Sequence, residues 1–202
     1  MKTAKKVFVG AMAGALLVAG SVAGTLAYLT DKTEEVKNTF TVGKVEITLD
    51  EADVNEYGVE IEGADRVTEN EYKLIPGHNY VKDPTVHVEV ESEPSYVFVK
   101  VENGLSSIEV AGEKGTIATQ MGTKWTNISG TNVWYYNEIV DAREEAKDLL
   151  VFGEFTLADG AAVANYETAT ITIDAYAIQA EGFDDAADAW ATAPATWTNG
   201  NN

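Results

Sequence analysis

The chain has 202 residues, of which 33 are acidic and 14 are basic, so its formal net charge is −19 at pH 7. A surface this acidic repels nucleic acid and anionic lipid, and neither is expected as a partner. The chain contains no cysteine, which excludes disulfides, thiol catalysis and thiolate metal sites. The fold must therefore be stabilised by a hydrophobic core.

The first 27 residues have the three parts of a cleavable secretory signal peptide. Three lysines precede an apolar stretch from 7 to 27, which ends at the small residues of Gly24-Thr25-Leu26-Ala27. This exit predicts cleavage between Ala27 and Tyr28. The alternative is a membrane anchor that is never cut, because the apolar stretch is about long enough to span a bilayer. Residues 28–202 are enough for one domain with a substantial core.

Alternating apolar and polar residues predict several half-buried β-strands in the mature chain. Two of the segments are apolar on both faces, 96–101 and 170–178, and are predicted to be central strands. All predicted strands lie at 45–49, 57–61, 86–90, 96–101, 131–140, 149–157 and 170–178. Turn pairs separate them at Pro76-Gly77, Asp83-Pro84, Glu93-Pro94-Ser95, Asn103-Gly104 and Asp159-Gly160. The pattern predicts a mainly β fold, a jelly-roll-like antiparallel β-sandwich with one or two short helices.

Helix is predicted in two places only. Residues 141–150 have a helix-forming composition and are interpreted as a short helix or a loop between strands. Near the C-terminus, Phe183, Ala187 and Trp190 fall on one helical face behind Asp184 and Asp185, which suit the first turn of a helix.

The segments predict four parts of the chain. They are the signal peptide (1–27), an N-terminal strand segment (28–43), the β-sandwich domain (44–193) and a polar C-terminal tail (194–202). Residues 50–71 are rich in Asp, Glu, Asn and Gly and are interpreted as an acidic surface excursion of the sandwich domain.

The sequence contains no motif that indicates catalysis. His78 and His87 belong to no His-Glu-x-x-His zinc motif and are interpreted as surface residues. No Gly-x-Ser-x-Gly elbow or calcium loop occurs, and the acids are too many to single out a hydrolytic pair. We therefore expect no catalytic residue, no metal site and no cofactor. The four tryptophans are predicted to serve the core and one domain edge rather than a sugar-binding platform: Trp125, Trp134, Trp190 and Trp197.

The segments 24–31, 38–49 and 74–83 together resemble the TasA/camelysin family of secreted biofilm-matrix proteins. The exit 24–31 (GTLAYLTD) resembles the family's signal-peptide exit, and 38–49 (NTFTVGKVEITL) resembles its Thr-Phe-x-x-Gly-x-Leu/Val opening. The third segment resembles the family's turn motif and carries Leu74, Pro76, Gly77, Lys82 and Asp83. The C-terminal stretch 175–190 is also similar to SipW-dependent relatives.

The resemblance implies a jelly-roll protein secreted by a Gram-positive bacterium that builds biofilm-matrix or cell-surface fibres. In such fibres the freed N-terminus of one subunit adds as a strand to the next, which satisfies the unpaired groups of a sheet edge. Head-to-tail addition does not close, so it produces filaments. The implied partners are further copies of the chain, a SipW-type signal peptidase and an accessory matrix or anchoring protein, with no membrane contact after cleavage.

The donor strand implied by the resemblance spans residues 28–38. Its candidate pairing residues are Tyr28, Leu29, Thr30 and Val36, and four charged residues separate the apolar ones. Backbone hydrogen bonds must therefore supply much of the binding free energy of the donor strand. Two other functions stay open at this point, a camelysin-like secreted metalloprotease and a monomeric surface binding module or adhesin.

Overall fold

Two antiparallel β layers make up the computed structural model, which describes residues 43–198. Its strands in chain order are β1 (Ile47–Asp50), β2 (Asn79–Val81), β3 (Thr85–Val88), β4 (Ser92–Asn103), β5 (Glu109–Val110), β6 (Trp125–Asn127), β7 (Val133–Tyr136), β8 (Val140–Ala142), β9 (Lys147–Leu150), β10 (Glu154–Leu157) and β11 (Ile171–Gln179). One short helix, α1 (Ile117–Met121), lies between β5 and β6, and two more follow the last strand: α2 (Ala186–Ala191) and α3 (Ala195–Thr198). A 3-10 turn covers Val163–Tyr166.

The first layer consists of two short three-stranded sheets that share one register. Strand order is β1-β3-β9 in one part and β2-β10-β5 in the other. Thr85 pairs with Leu150 and Val81 pairs with Glu154, so both parts share one register. The ladder is interrupted at Pro84, which has no N–H to donate, although its carbonyl still accepts from the Val151 N–H at 2.9 Å.

The second layer is a five-stranded sheet with the order β11-β4-β7-β6, in which β8 also pairs with β4. Alternate residues of the long central strand β4 face opposite sides. Val97, Val99 and Val101 point into the main core between the layers. Tyr96 and Phe98 point to the outer face, which α2 and α3 cover.

Both hydrophobic clusters follow from this arrangement. The main core lies between the layers and includes Tyr80, Val86, Trp125, Phe152, Phe155 and Leu157, all nearly or fully buried. The outer cluster packs Phe98 against Trp190 at 4.9 Å between ring centroids, and Tyr176 against Trp197 at 4.7 Å. The predicted jelly-roll-like antiparallel β-sandwich with short helices is confirmed.

Several local predictions were wrong. Residues 141–150 form no helix, because Val140–Ala142 pairs with β4 and Lys147–Leu150 pairs with β3, and this pairing overrides the helical propensity of the segment. The predicted strand 57–61 is a series of turns, since the Asn55 side chain accepts from two nearby backbone N–H groups. Its apolar side chains are exposed.

Two boundaries also differ. The turn placed at Glu93-Pro94-Ser95 lies instead at Val90 and Glu91, and β4 begins at Ser92. Glu91 adopts a left-handed conformation (φ 67°) that makes this tight turn. The segments 131–140 and 149–157 each split into two strands, and α1 was not predicted. The C-terminal helix is confirmed, with Asp185 accepting from the Asp188 N–H at 2.8 Å as its N-cap. Its predicted face is only partly right, because Trp190 is buried but Phe183 precedes the helix and Ala187 is exposed.

The signal-peptide cleavage site at Ala27 and Tyr28 lies outside the described residues. The same is true of the candidate donor residues Leu29, Thr30 and Val36. Within residues 43–198, no helix has both the length and the apolar character needed to cross a bilayer.

Candidate functional site

Strand β11 is the edge of the five-stranded sheet. Thr170 O accepts from the Gly104 N–H at 2.9 Å, and the Ala180 N–H donates to Pro94 O at 2.8 Å, so even-numbered residues bond to β4. Antiparallel alternation turns the N–H and C=O groups of odd-numbered residues away from β4. Among the described residues these groups have no hydrogen-bond partner. They belong to Ile171, Ile173, Ala175, Ala177 and Gln179.

Strand β1 is the matching edge of the other layer. The Glu89 N–H donates to Glu46 O at 2.9 Å, so odd-numbered residues of β1 face away from β3. Glu51, just beyond the strand, uses its outward groups to exchange two 2.8 Å hydrogen bonds with Val67. Ile47 and Leu49 have no such partner among residues 43–198. Cα atoms of β1 and β11 approach within 8 Å, so the two edges run close together.

A groove of about 1150 Å³ opens beside these edges. Part of its lining is apolar and includes Leu49 from β1, Leu74, Phe155, and Ile171 with Ile173 from β11. The rest is polar and includes Glu51, Asn70 and Lys82. The groove therefore combines free backbone groups with apolar surface, which is the combination that an added extended peptide uses.

The residues of the family turn motif contribute to this region in different ways. Leu74 and Lys82 line the groove. Pro76 and Gly77 form the predicted turn, where Gly77 is left-handed (φ 75°) and a Cβ would collide with Asp159. The turn leads the chain from the groove wall into β2.

Lys82 makes a buried ion pair with Glu51. Its Nζ donates to Glu51 Oε2, and the two residues are only 8% and 4% exposed. The second oxygen of the same carboxylate, Oε1, accepts from Asn70 Nδ2 at 2.9 Å. Asn70 Nδ2 also donates to Ala52 O at 2.9 Å, and Asn70 Oδ1 accepts from the Val54 N–H at 3.0 Å.

A second polar cluster lies next to the first. Arg66 pairs with Asp50 and Asp83, and Asp83 Oδ1 accepts from the Ala52 N–H at 2.7 Å. Burial raises the pKa of Asp50, but hydrogen bonds from Arg66 and His87 outweigh burial and hold that pKa below its ordinary value. The predicted acidic excursion 50–71 is largely exposed, yet these contacts anchor it firmly to the sandwich.

Both histidines are half-buried and hydrogen-bonded rather than simple surface residues. His78 Nε2 lies 2.8 Å from Tyr57 O, and its ring meets Tyr80 edge-on. His87 lies between Asp148 (2.7 Å) and Asp50 (2.9 Å). Burial lowers the pKa of His87, but the two carboxylates outweigh burial and raise it above its ordinary value.

The described part of the chain contains no group of three or more His, Asp or Glu side chains arranged to hold a metal ion.

All four tryptophans pack in the hydrophobic clusters. Trp125 is fully buried and donates to Leu150 O at 3.0 Å, and Trp134 packs against the main core. Trp190 and Trp197 belong to the outer cluster. The predicted role in the core and at one edge of the domain agrees with these positions.

Sequence reasoning identified Leu74, Lys82 and Asp83 through the motif but missed Glu51, Asn70 and Arg66. These three lie within the acidic stretch, where no spacing distinguishes them from their neighbours. In comparisons with family models, curated proteins and solved structures, nothing matched this chain. The TasA/camelysin resemblance therefore remains a prediction based on the sequence motifs alone.

Proposed function

We propose that this chain is a secreted structural subunit of a bacterial matrix or surface fibre. Subunits assemble head-to-tail when the N-terminal segment freed by signal-peptide cleavage adds as a strand to the next molecule. The observation that carries the proposal is the open edge of β11 beside the groove. An edge with free N–H and C=O groups is a template for strand addition.

The energetics are compatible with the polar character of the donor. Each backbone hydrogen bond contributes a net ~0.5–1.5 kcal/mol, and the outward residues of β11 offer several donors and acceptors. A large apolar side chain adds about 1.5–3 kcal/mol when it is fully buried, and Tyr28, Leu29 and Val36 are the candidates. Backbone pairing and a few anchored side chains together provide a stable contact.

Cleavage after Ala27 also acts as the trigger for assembly. Before the cut, the donor segment is joined to the signal peptide and held at the membrane. After the cut, it is free to reach the groove of a neighbouring subunit. The same step that releases the protein therefore starts polymerisation.

Deletion of the donor tests this proposal. Purified protein beginning at Tyr28 is expected to form filaments in electron micrographs, while protein lacking residues 28–38 stays monomeric with unchanged circular dichroism. Filaments from the shortened protein would contradict the mechanism.

A matched pair of substitutions at Ala175 tests the acceptor. Ala175→Pro removes an N–H that faces away from β4, which an edge strand tolerates. Ala175→Val enlarges the side chain but keeps the N–H. We expect the proline variant to fold and lose filaments, and the valine variant to retain them. Equal filament formation by both variants would exclude β11 as the acceptor edge.

A further inference from the structure

Lys82, Glu51 and Asn70 form an arrangement that the proposed function does not use. One carboxylate, that of Glu51, accepts from the Lys82 amine through Oε2 and from the Asn70 amide nitrogen through Oε1. An amine and a carboxamide are thus hydrogen-bonded to the two oxygens of one buried carboxylate. The Lys82 amine also lies 5.9 Å from the centre of the Tyr72 ring, so one side of it is apolar.

A comparison within the chain shows that this arrangement is specific. Glu154 also faces a lysine and an asparagine, but Lys114 Nζ is 3.7 Å away and Asn79 Nδ2 is 3.5 Å away. The Lys114 side chain is 62% exposed, whereas that of Lys82 is 9% exposed. The Lys114 amine is therefore open to water, whereas the Lys82–Glu51 pair is shielded from water.

We propose that Lys82 and Asn70 join through an intramolecular isopeptide bond between Lys82 Nζ and Asn70 Cγ, with release of ammonia and with Glu51 as the catalytic acid–base. The bond forms within one chain, so it goes beyond the proposed function and does not depend on fibre assembly.

The reaction needs only groups that the structure places together. Glu51 takes a proton from the Lys82 ammonium, and the freed electron pair on Nζ bonds to Asn70 Cγ. The C=O electrons move to Oδ1, where the Val54 N–H, at 3.0 Å, stabilises the developing negative charge. Glu51 then gives its proton to Nδ2.

Collapse of the intermediate completes the exchange. The C=O bond re-forms, and the Cγ–Nδ2 bond breaks with its electron pair on the leaving nitrogen, which departs as ammonia. Nζ returns its extra proton to Glu51, and the ammonia removes that proton as ammonium. The amide exchange consumes no oxidant or co-reactant, and the charge balances. The groove beside these residues gives the product a path to solvent.

The bond would secure the long excursion to the sandwich. Asn70 lies near the end of that excursion and Lys82 lies between β2 and β3. A covalent link between them limits the freedom of the unfolded chain, as a disulfide does. The chain has no cysteine and therefore no disulfide. Unlike a disulfide, an amide link is not broken by reducing agents.

Intact-mass spectrometry of the full chain under denaturing conditions tests the proposal, with the N-terminus read from the same sample. The expected mass is lower than the sequence mass by one ammonia, and proteolysis yields a joined pair of peptides that contain Asn70 and Lys82. A full sequence mass, or the absence of the joined pair, would overturn the proposal.

Matched variants separate this bond from other losses of ammonia. Lys82→Arg and Glu51→Gln preserve the size of the side chain, and each is expected to restore the full mass. Lys114→Arg and Glu154→Gln serve as controls and should keep the loss. An Asn-Gly succinimide at Asn103 also loses ammonia, but it joins no peptides and persists in Lys82→Arg. Cross-linking in a folded Glu51→Gln protein would exclude Glu51 as the acid–base.

Discussion

Strands β4 and β11 pair over nine residues, yet their surroundings differ. The sequence pattern predicts a central strand for both. Residues 95–101 of β4 are buried, and β4 pairs with strands on both sides, whereas β11 is half-buried and, among residues 43–198, pairs with β4 alone. The difference teaches that hydropathy reports the burial of faces but not the number of neighbouring strands. The free edge of β11 is where the proposed assembly takes place.

Proline substitutions at two opposing positions give the strongest test of the difference between the central strand β4 and the edge strand β11. Val99 and Ala175 face each other across the β4–β11 ladder. The Val101 N–H donates to Asn132 O at 2.9 Å, so alternation also directs the Val99 N–H toward β7. Val99→Pro removes a central hydrogen bond and should cost several kcal/mol or prevent folding. Ala175→Pro should lower stability much less.

Urea denaturation of the two proline variants measures this effect, with Val99→Ala and Ala175→Val as controls for side-chain volume. A loss of stability at position 175 as large as that at position 99 would mean that the outward face of β11 is engaged by another part of the same molecule.

Alanine substitutions at a second opposing pair test how deeply the side chains of β4 and β11 are buried, rather than how their backbone edges are paired. Phe98 and Tyr176 are opposite each other and both contact Trp190. Phe98 is fully buried, so Phe98→Ala should cost about 3–5 kcal/mol. Tyr176 is half-buried, and Tyr176→Ala should cost roughly 1–2 kcal/mol, in proportion to its smaller buried area. Equal losses in urea-unfolding experiments would contradict the ranking.

Prediction from sequence succeeded where the signal was local and failed where it depended on neighbours. Alternation located β1 and β3, and Asp185 located the start of α2. The central position predicted for residues 170–178 was wrong, because the number of strands beside a segment is set by distant parts of the chain. Helical propensity misled the interpretation of 141–150 for the same reason, since pairing with β3 and β4 decides its conformation.

The candidate site shows the same division. The turn motif marked Lys82, but its partner Glu51 lies 31 residues away. Asn70 joins the cluster through the other oxygen of the same Glu51 carboxylate. Composition described their segment correctly as acidic and largely exposed. It could not identify the one carboxylate in it that is buried and shared by an amine and an amide.

The smallest expected effect on stability comes from the edge strand β1. This strand pairs with β3 on one side, and a side chain of β3 contacts it as well. His87 on the central strand β3 contacts Asp50 on β1 and Asp148 on β9. The pKa of His87 is raised in the folded state, since the two carboxylates outweigh burial. Its contribution to stability is therefore complete below the unfolded pKa of ~6.5 and disappears as the pH rises through the folded value.

Unfolding free energies measured from about pH 5 to about pH 9, which brackets the ordinary histidine pKa of ~6.5, should show this loss in the parent protein and a smaller one in His87→Gln. Asp148→Asn should bring the pKa of His87, followed by NMR, back toward its ordinary value. Asp148 is mostly exposed, so solvent screens it and the shift should be modest. An identical dependence on pH in His87→Gln would show that β1 is held by its backbone ladder alone.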